Sequence, residues 1–204
     1  MSKGRKSKYI NLLTTKDQNM LHAFRSIGYL RKSHLKDQLG QRDKRINGFI
    51  RDGYIEKCTV FNQNTRKVEE VYRLSNKGKE MCRQHLNLDH FYRSNSANHD
   101  LQLAERYFAL TEAERSTWIT EVQFREIFMQ KIYDLREQND IHRAIIFSEM
   151  LKNQEISPVD GGYLTETGSI ITFEIITKNY DLSEITAKEA FSQFINAEYK
   201  PQYV

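Results

Sequence analysis

The sequence predicts an α+β protein in two unlike halves, and three observations carry that prediction. The first is charge: residues 1–95 hold 21 Lys and Arg against 9 Asp and Glu, whereas residues 96–204 hold 10 against 18. The second is a series of three short amphipathic helical patterns followed by two strand-like segments, all ahead of Ser75. The third is a β-branched run, Ile170 to Thr177, followed by another helical pattern, which together suit a small mixed sheet with a covering helix. A basic half joined to an acidic half points to a nucleic-acid module attached to something else. The two cysteines, Cys58 and Cys82, do not suggest a disulfide framework, so reduced thiols are expected.

Taken in order, the chain opens with a basic arm, residues 1–14, carrying Lys3, Arg5, Lys6 and Lys8. Such an arm either meets phosphates or only keeps the chain in solution. No apolar run long enough for a signal sequence follows it, and nothing reaches membrane-spanning length. A cytoplasmic protein without a membrane partner is expected. Thr14 or Thr15 caps a first helix whose stripe is Met20, Leu21, Phe24 and Ile27, with Gly28 ending it. Ser33 caps a second, shorter helix with Leu35 and Leu39 inward, and Gly40 makes the turn.

The third helix spans Gln41 to Arg51. Ile46, Phe49 and Ile50 share one face at helical spacing, while Lys44, Asn47, Gly48 and Arg51 share another, flanked by Gln41 and Arg45. Asp52-Gly53 stops it. Tyr54–Phe61 and Val68–Leu74 read as a hairpin joined by the polar, basic loop NQNTRK, and Ser75 caps a further helix. This order, with RDGYIEK and VYRLSNKGKEM as its most telling segments, resembles a winged helix-turn-helix over residues 15–86. The resemblance implies that the third helix lies in the major groove of double-stranded DNA. Arg45 and Arg51 could then pair with guanine, or clamp phosphate instead, and Asn47 with adenine. Gln41, Arg42 and Lys44 complete the face, and Arg66 and Lys67 at the hairpin tip meet the minor groove or the backbone. Most such regulators are homodimers, through a surface expected outside this domain.

Residues 87–95 read as a linker. From Ser96 or Asn98 a helix carries Leu101, Leu103, Ala104 and Phe108 inward, and Thr111 to Glu114 has the outline of a capping box. His99 and Asp100 are read as a packing residue and a helix-start carboxylate, with a ligand or proton-transfer pair as the alternative. The stretch from Trp118 to Leu135 mixes strand and helix periods before turning helical. His142 to Leu151 suits a short helix or a strand.

The richest chemical pattern is SPVDGGYLTETGSIITFEIITKNY. It reads as a strand ending at Asp160-Gly161-Gly162, a hairpin through Thr165 to Gly168, and a strand from Ile170 to Thr177, with the helix SEITAKEAFSQFI after it. Pro158-x-Asp160 followed by Glu174 resembles the PD-(D/E)-x-K nuclease superfamily, in which the two carboxylates hold a divalent cation and a lysine two residues after the Glu activates water. Here that position is Ile176, and Lys178 lies one period further along the strand. The departure favours a nuclease-like domain over 96–204 that does not cut. Glu121 counts as functional only if the fold brings it to these carboxylates.

Taken together these segments resemble the replication-relaxation family of plasmids, phages and integrative elements. The resemblance implies sequence-specific DNA binding in transcriptional control, replication or partition of a mobile element, with no cofactor. Two alternatives stand beside it. One is a metal-dependent nickase or nuclease using Asp160, Glu174 and Lys178 with a divalent cation. The other is an adaptor whose acidic half docks a replication, transfer or segregation protein. Binding rather than catalysis is the expectation.

Overall fold

Thr14 opens the first helix through a reciprocal cap. Its hydroxyl accepts from the Asp17 amide, and the Asp17 carboxylate accepts from the Thr14 amide at 2.7 Å. Helix α1, Thr15–Ile27, buries the expected stripe of Met20, Leu21, Phe24 and Ile27, and Gly28 ends it at φ 95°, a conformation that favours glycine. The computed structural model describes residues 9–62, 66–93 and 96–204. Lys3, Arg5, Lys6 and Lys8 of the arm therefore lie outside the described residues, as do three residues of the hairpin connection and two of the expected linker.

A two-residue strand, β1 (Leu30–Arg31), leads into a single π-helical turn at His34–Gln38, where a short α-helix was expected. Ser33 makes no side-chain cap there. Helix α2, Asp43–Arg51, starts two residues later than the sequence suggests and buries Ile46 and Phe49. Strands β2 (Ile55–Asn62) and β3 (Lys67–Leu74) pair antiparallel from Ile55↔Leu74 to Asn62↔Lys67, and β1 joins the free side of β3 in a sheet of order β1-β3-β2. Ser75 caps α3, Asn76–Leu86, by accepting from the Gly78 amide at 2.9 Å.

The expected linker is instead strapped to this unit. Leu88, Phe91 and Tyr92 are buried, the Tyr92 amide donates to the Arg25 carbonyl, and Arg25 Nε donates to the Asp89 carbonyl. Helix α4, Ala97–Phe108, packs against α1, β1, β2 and the π-turn. Asp100 is fully buried and its Oδ2 accepts from the Tyr29 amide at 3.2 Å. Glu105 receives Arg31 Nη1 at 2.6 Å and stands 3.1 Å from His34 Nε2. The first compact unit thus closes at Phe108 and the second runs from Ala109 to Val204. Helix α4, expected in the half that begins at residue 96, falls in the first compact unit. Leu101, Leu103 and Ala104 are buried as expected, but Tyr107 rather than Phe108 completes the inward face.

The second unit begins with α5, Glu112–Ser116, behind the expected Thr111–Glu114 capping box. Strand β4 (Ile119–Thr120) turns directly into α6, Glu121–Glu137, and α7 is a helix at Ile141–Lys152. Strand β5 is Gly161–Leu164, so the glycine pair starts a strand that the sequence reading ended there. The reason is close approach. A Cβ on Gly161 would stand 2.2 Å from the Trp118 ring, and one on Gly162 2.1 Å from the Ile171 carbonyl oxygen. Strand β6 (Ile170–Ile176) pairs antiparallel with β5; α8 (Leu182–Phe194) then returns the chain to β7 (Ala197–Tyr203), parallel to β6. The sheet order is β4-β5-β6-β7, mixed as expected, although β7 was not foreseen. Phe124, Phe128 and Ile132 of α6 meet Phe191 and Ile195 in the core beneath it.

Candidate nucleic-acid interface and a buried carboxylate pair

Helix α2 has two chemically different sides. Its inward side fixes it in the core through Ile46 and Phe49, and it is held further by polar contacts from its own start. Arg45 donates to Asp17 twice, from Nε to Oδ1 at 3.0 Å and from Nη2 to Oδ2 at 2.7 Å, and Nη2 also donates to the Leu12 carbonyl at 2.6 Å. Gln41 is buried and its amide reaches the same carboxylate at 3.4 Å. Burial alone would raise the Asp17 pKa. The Arg45 guanidinium and the Thr14 donors more than offset it, so the carboxyl sits below its ordinary value. Two residues expected at the DNA face, Gln41 and Arg45, therefore anchor the helix. Their partner comes from α1, which no local pattern announces.

The remaining expected residues stay outward. Arg42, Lys44, Asn47 and Arg51 are exposed, and with Tyr9 to Leu12 they border a concavity of about 1140 Å³. Residues 9–12 run beside the helix because the Ile10 amide donates to Asp52 Oδ2 at 2.6 Å, while Arg51 Nε donates to Oδ1 of the same carboxylate at 2.7 Å. Gly48 lies beneath this segment: a Cβ there would stand 3.7 Å from Ile10 Cδ1. Tyr9, Asn11 and Leu12 are thus part of the same surface, which the helix pattern alone does not reveal. Arg66 and Lys67, at the far end of the hairpin, are exposed as well. The unit carries 22 Lys and Arg against 11 Asp and Glu through Phe108, whereas the second carries 9 against 16.

The second unit brings Asp160 and Glu174 together as expected. The Asp160 amide donates to Glu174 Oε2 at 2.9 Å, and the Ile175 amide donates to Asp160 Oδ2 at 2.8 Å. Lys178, expected beside them, is exposed in the turn after β6. The cation at Glu174 is Lys188 from α8: its Nζ is 3.0 Å from Oε1 and also donates to the Pro158 carbonyl at 2.6 Å. Tyr180 donates to the same Oε1 at 2.8 Å. Burial and then the Asp160 charge push the Glu174 pKa upward, against the opposing pull of Lys188 and Tyr180. Glu174 is fully buried; its Oε2 is held by a strand amide and its Oε1 by Lys188 and Tyr180, and Asp160 Oδ2 is held by the Ile175 amide. Glu121, at the start of α6, stands 3.7 Å from Arg125. Among the described residues no group of three or more His, Cys, Asp or Glu is placed to hold a metal ion, and no helix is long and apolar enough to cross a membrane.

His99 Nδ1 lies 3.4 Å from the Tyr92 hydroxyl, and Asp100 accepts from the Tyr29 amide. Comparison with protein-family models, with curated proteins and with solved structures gives no match to this chain.

Proposed function

We propose that this protein binds double-stranded DNA through its first unit, acting as a winged helix-turn-helix with α2 as the groove-reading helix and β2–β3 as the wing. The observation that carries the reading is the outward face of α2. Lys44, Asn47 and Arg51, with Arg42 at its start, are exposed together on a helix whose opposite side is locked into the core. A rigid helix presenting cations and an amide suits phosphate positioning and base-edge contact. Arg45 drops out of the base-reading set and becomes the strut that orients the others.

The resemblance to the replication-relaxation family extends this reading to a homodimer serving transcription, replication or partition of a mobile element. In that reading the acidic second unit faces a replication, transfer or segregation protein. The test is a fluorescence-anisotropy titration of the full chain against a mixed-sequence duplex and against duplexes selected for binding from a random pool, over a range of salt. The expected result is binding that weakens steeply with salt, with a preference for selected sequence. Salt-independent binding, or none, overturns it.

A metal-dependent nuclease is the second reading, and one contact speaks for it: Lys188 supplies beside Glu174 the cation that Ile176 removes from the strand. The occupied oxygens of Asp160 and Glu174 speak against it. Nicking of supercoiled plasmid with magnesium or manganese, lost in Asp160→Asn and in Lys188→Ala, would restore the enzyme; an intact plasmid removes it.

A further inference from the structure

The end of the β2–β3 hairpin carries two large apolar side chains that the fold leaves outside. Phe61 is 56% exposed and Val68 is 70% exposed, and the two are direct cross-strand partners. Cross-strand neighbours on one face form a single apolar knob. Further down the hairpin the same face carries Lys57, Glu70 and Tyr72 by the period of two, and Tyr72 lies within electrostatic reach of Asp43 in the first turn of α2.

Its surroundings are cationic. Arg66 and Lys67 are exposed beside Val68. The two acidic residues of β3 are neutralised within the fold: Glu69 by Arg31 and Asn62, Glu70 by Lys57 and the Tyr72 hydroxyl. The Asn98 side chain donates to the Phe61 carbonyl at 2.9 Å, fixing the backbone beneath the knob to α4. An exposed apolar pair bordered by Arg and Lys suits the minor groove of a duplex, where cations meet the phosphates and an apolar side chain enters between base pairs.

We infer that Phe61 and Val68 form a wedge that partly unstacks a base step in the minor groove and bends the bound DNA. This rests on the proposed duplex binding and adds to it a deformation that cationic contacts alone would not produce. Flexible pyrimidine–purine steps such as TA would be preferred, because they unstack most readily.

The probe is a short duplex with one central TA step, its adenine replaced by 2-aminopurine and its ends carrying a donor and acceptor dye, titrated with the full chain at low salt. The expected result is a rise in 2-aminopurine fluorescence and a shortened end-to-end distance. Phe61→Ala/Val68→Ala should lose both signals and bind on the order of tenfold more weakly, while Phe61→Trp keeps them. Lys44→Ala/Arg51→Ala should lose binding itself. Wild-type binding with neither signal, or an apolar-knob variant that still unstacks and bends, overturns the wedge and leaves duplex binding standing. Absence of wild-type binding overturns both. A double variant that loses self-association while stacking never changes in any variant assigns the knob to a protein interface and overturns the wedge.

Discussion

Asp17 in the first unit and Glu174 in the second are each buried beside a cation, and the two respond in opposite ways. Asp17 accepts from a guanidinium, a backbone amide and a hydroxyl, and its acidity is increased. Glu174 accepts from an ammonium, an amide and a phenol, yet its acidity is reduced. Burial raises the pKa of both acids and is the largest cause at each; beyond it the two differ in the neighbouring charges. Asp160 sits against Glu174, and its charge adds to the cost of burial, whereas no acid is among the causes acting on Asp17. A nearby cation therefore does not determine whether a buried acid is ionised; the sum of its neighbours does. In the first unit this arrangement fixes a helix whose far side is left for work. In the second it ties β5, β6 and α8 together.

The largest effect on this contrast should come from Lys188→Met. It strands Glu174 and Asp160 without their cation and should cost the second unit about 3–5 kcal/mol at neutral pH. Trp118, the chain's single tryptophan, is stacked on Phe173 in that unit, so its fluorescence during urea unfolding reads the loss. Acidification should recover part of it, because Glu174 is then protonated. Next is Arg45→Ala, which leaves Asp17 with the Thr14 donors and should cost the first unit about 2 kcal/mol. Hydrogen exchange at α1 and α2 amides measures it. A stable Arg45→Ala chain that has lost only DNA affinity would return Arg45 to the reading face.

Lys44→Ala should behave in the converse way, with its unfolding midpoint unchanged, whereas Arg51→Ala also removes the partner of the buried Asp52 carboxylate. Each should make the logarithmic salt dependence of DNA affinity shallower by about one. The smallest effect is pH alone. Glu174 is held above its ordinary range, so the unfolded chain releases that proton first. Its contribution is complete below the ordinary glutamate range and is lost as pH rises toward neutrality. Asp17 runs the other way, contributing fully at neutral pH and less as pH falls through the acid range. Each unit of difference between folded and unfolded values is worth about 1.4 kcal/mol. Glu174→Gln should flatten the response of the Trp118 signal and leave that of the first unit in place.

What was legible in the sequence was what short-range physics determines. The Thr14 cap, the Ser75 cap, the stripes of α1 and α2 and the Ile170–Ile176 strand all follow from residues within a turn or two of one another. What was hidden depends on chain segments far apart. Gln41 and Arg45 look like groove readers until Asp17 arrives from α1, and Lys188 looks like an ordinary surface lysine until α8 crosses over β6. The Gly161-Gly162 pair imitates a turn because its purpose, room for Trp118 and the β6 backbone, lies in other elements. β7, with polar residues and Pro201 in its run, carries no strand pattern of its own and exists by pairing along β6.

Helix α4 has a practical consequence for dissection of the molecule. A protease that cuts after Leu86, or a gene truncated there, would remove the carboxylate that receives the Tyr29 amide and the cover over Leu30 and the Arg31–Glu69 pair. Such a fragment would carry every side chain of the proposed groove-reading face and still present it on a weakened scaffold. The compact unit ends at Phe108, and a limited digest should leave a resistant core with that terminus.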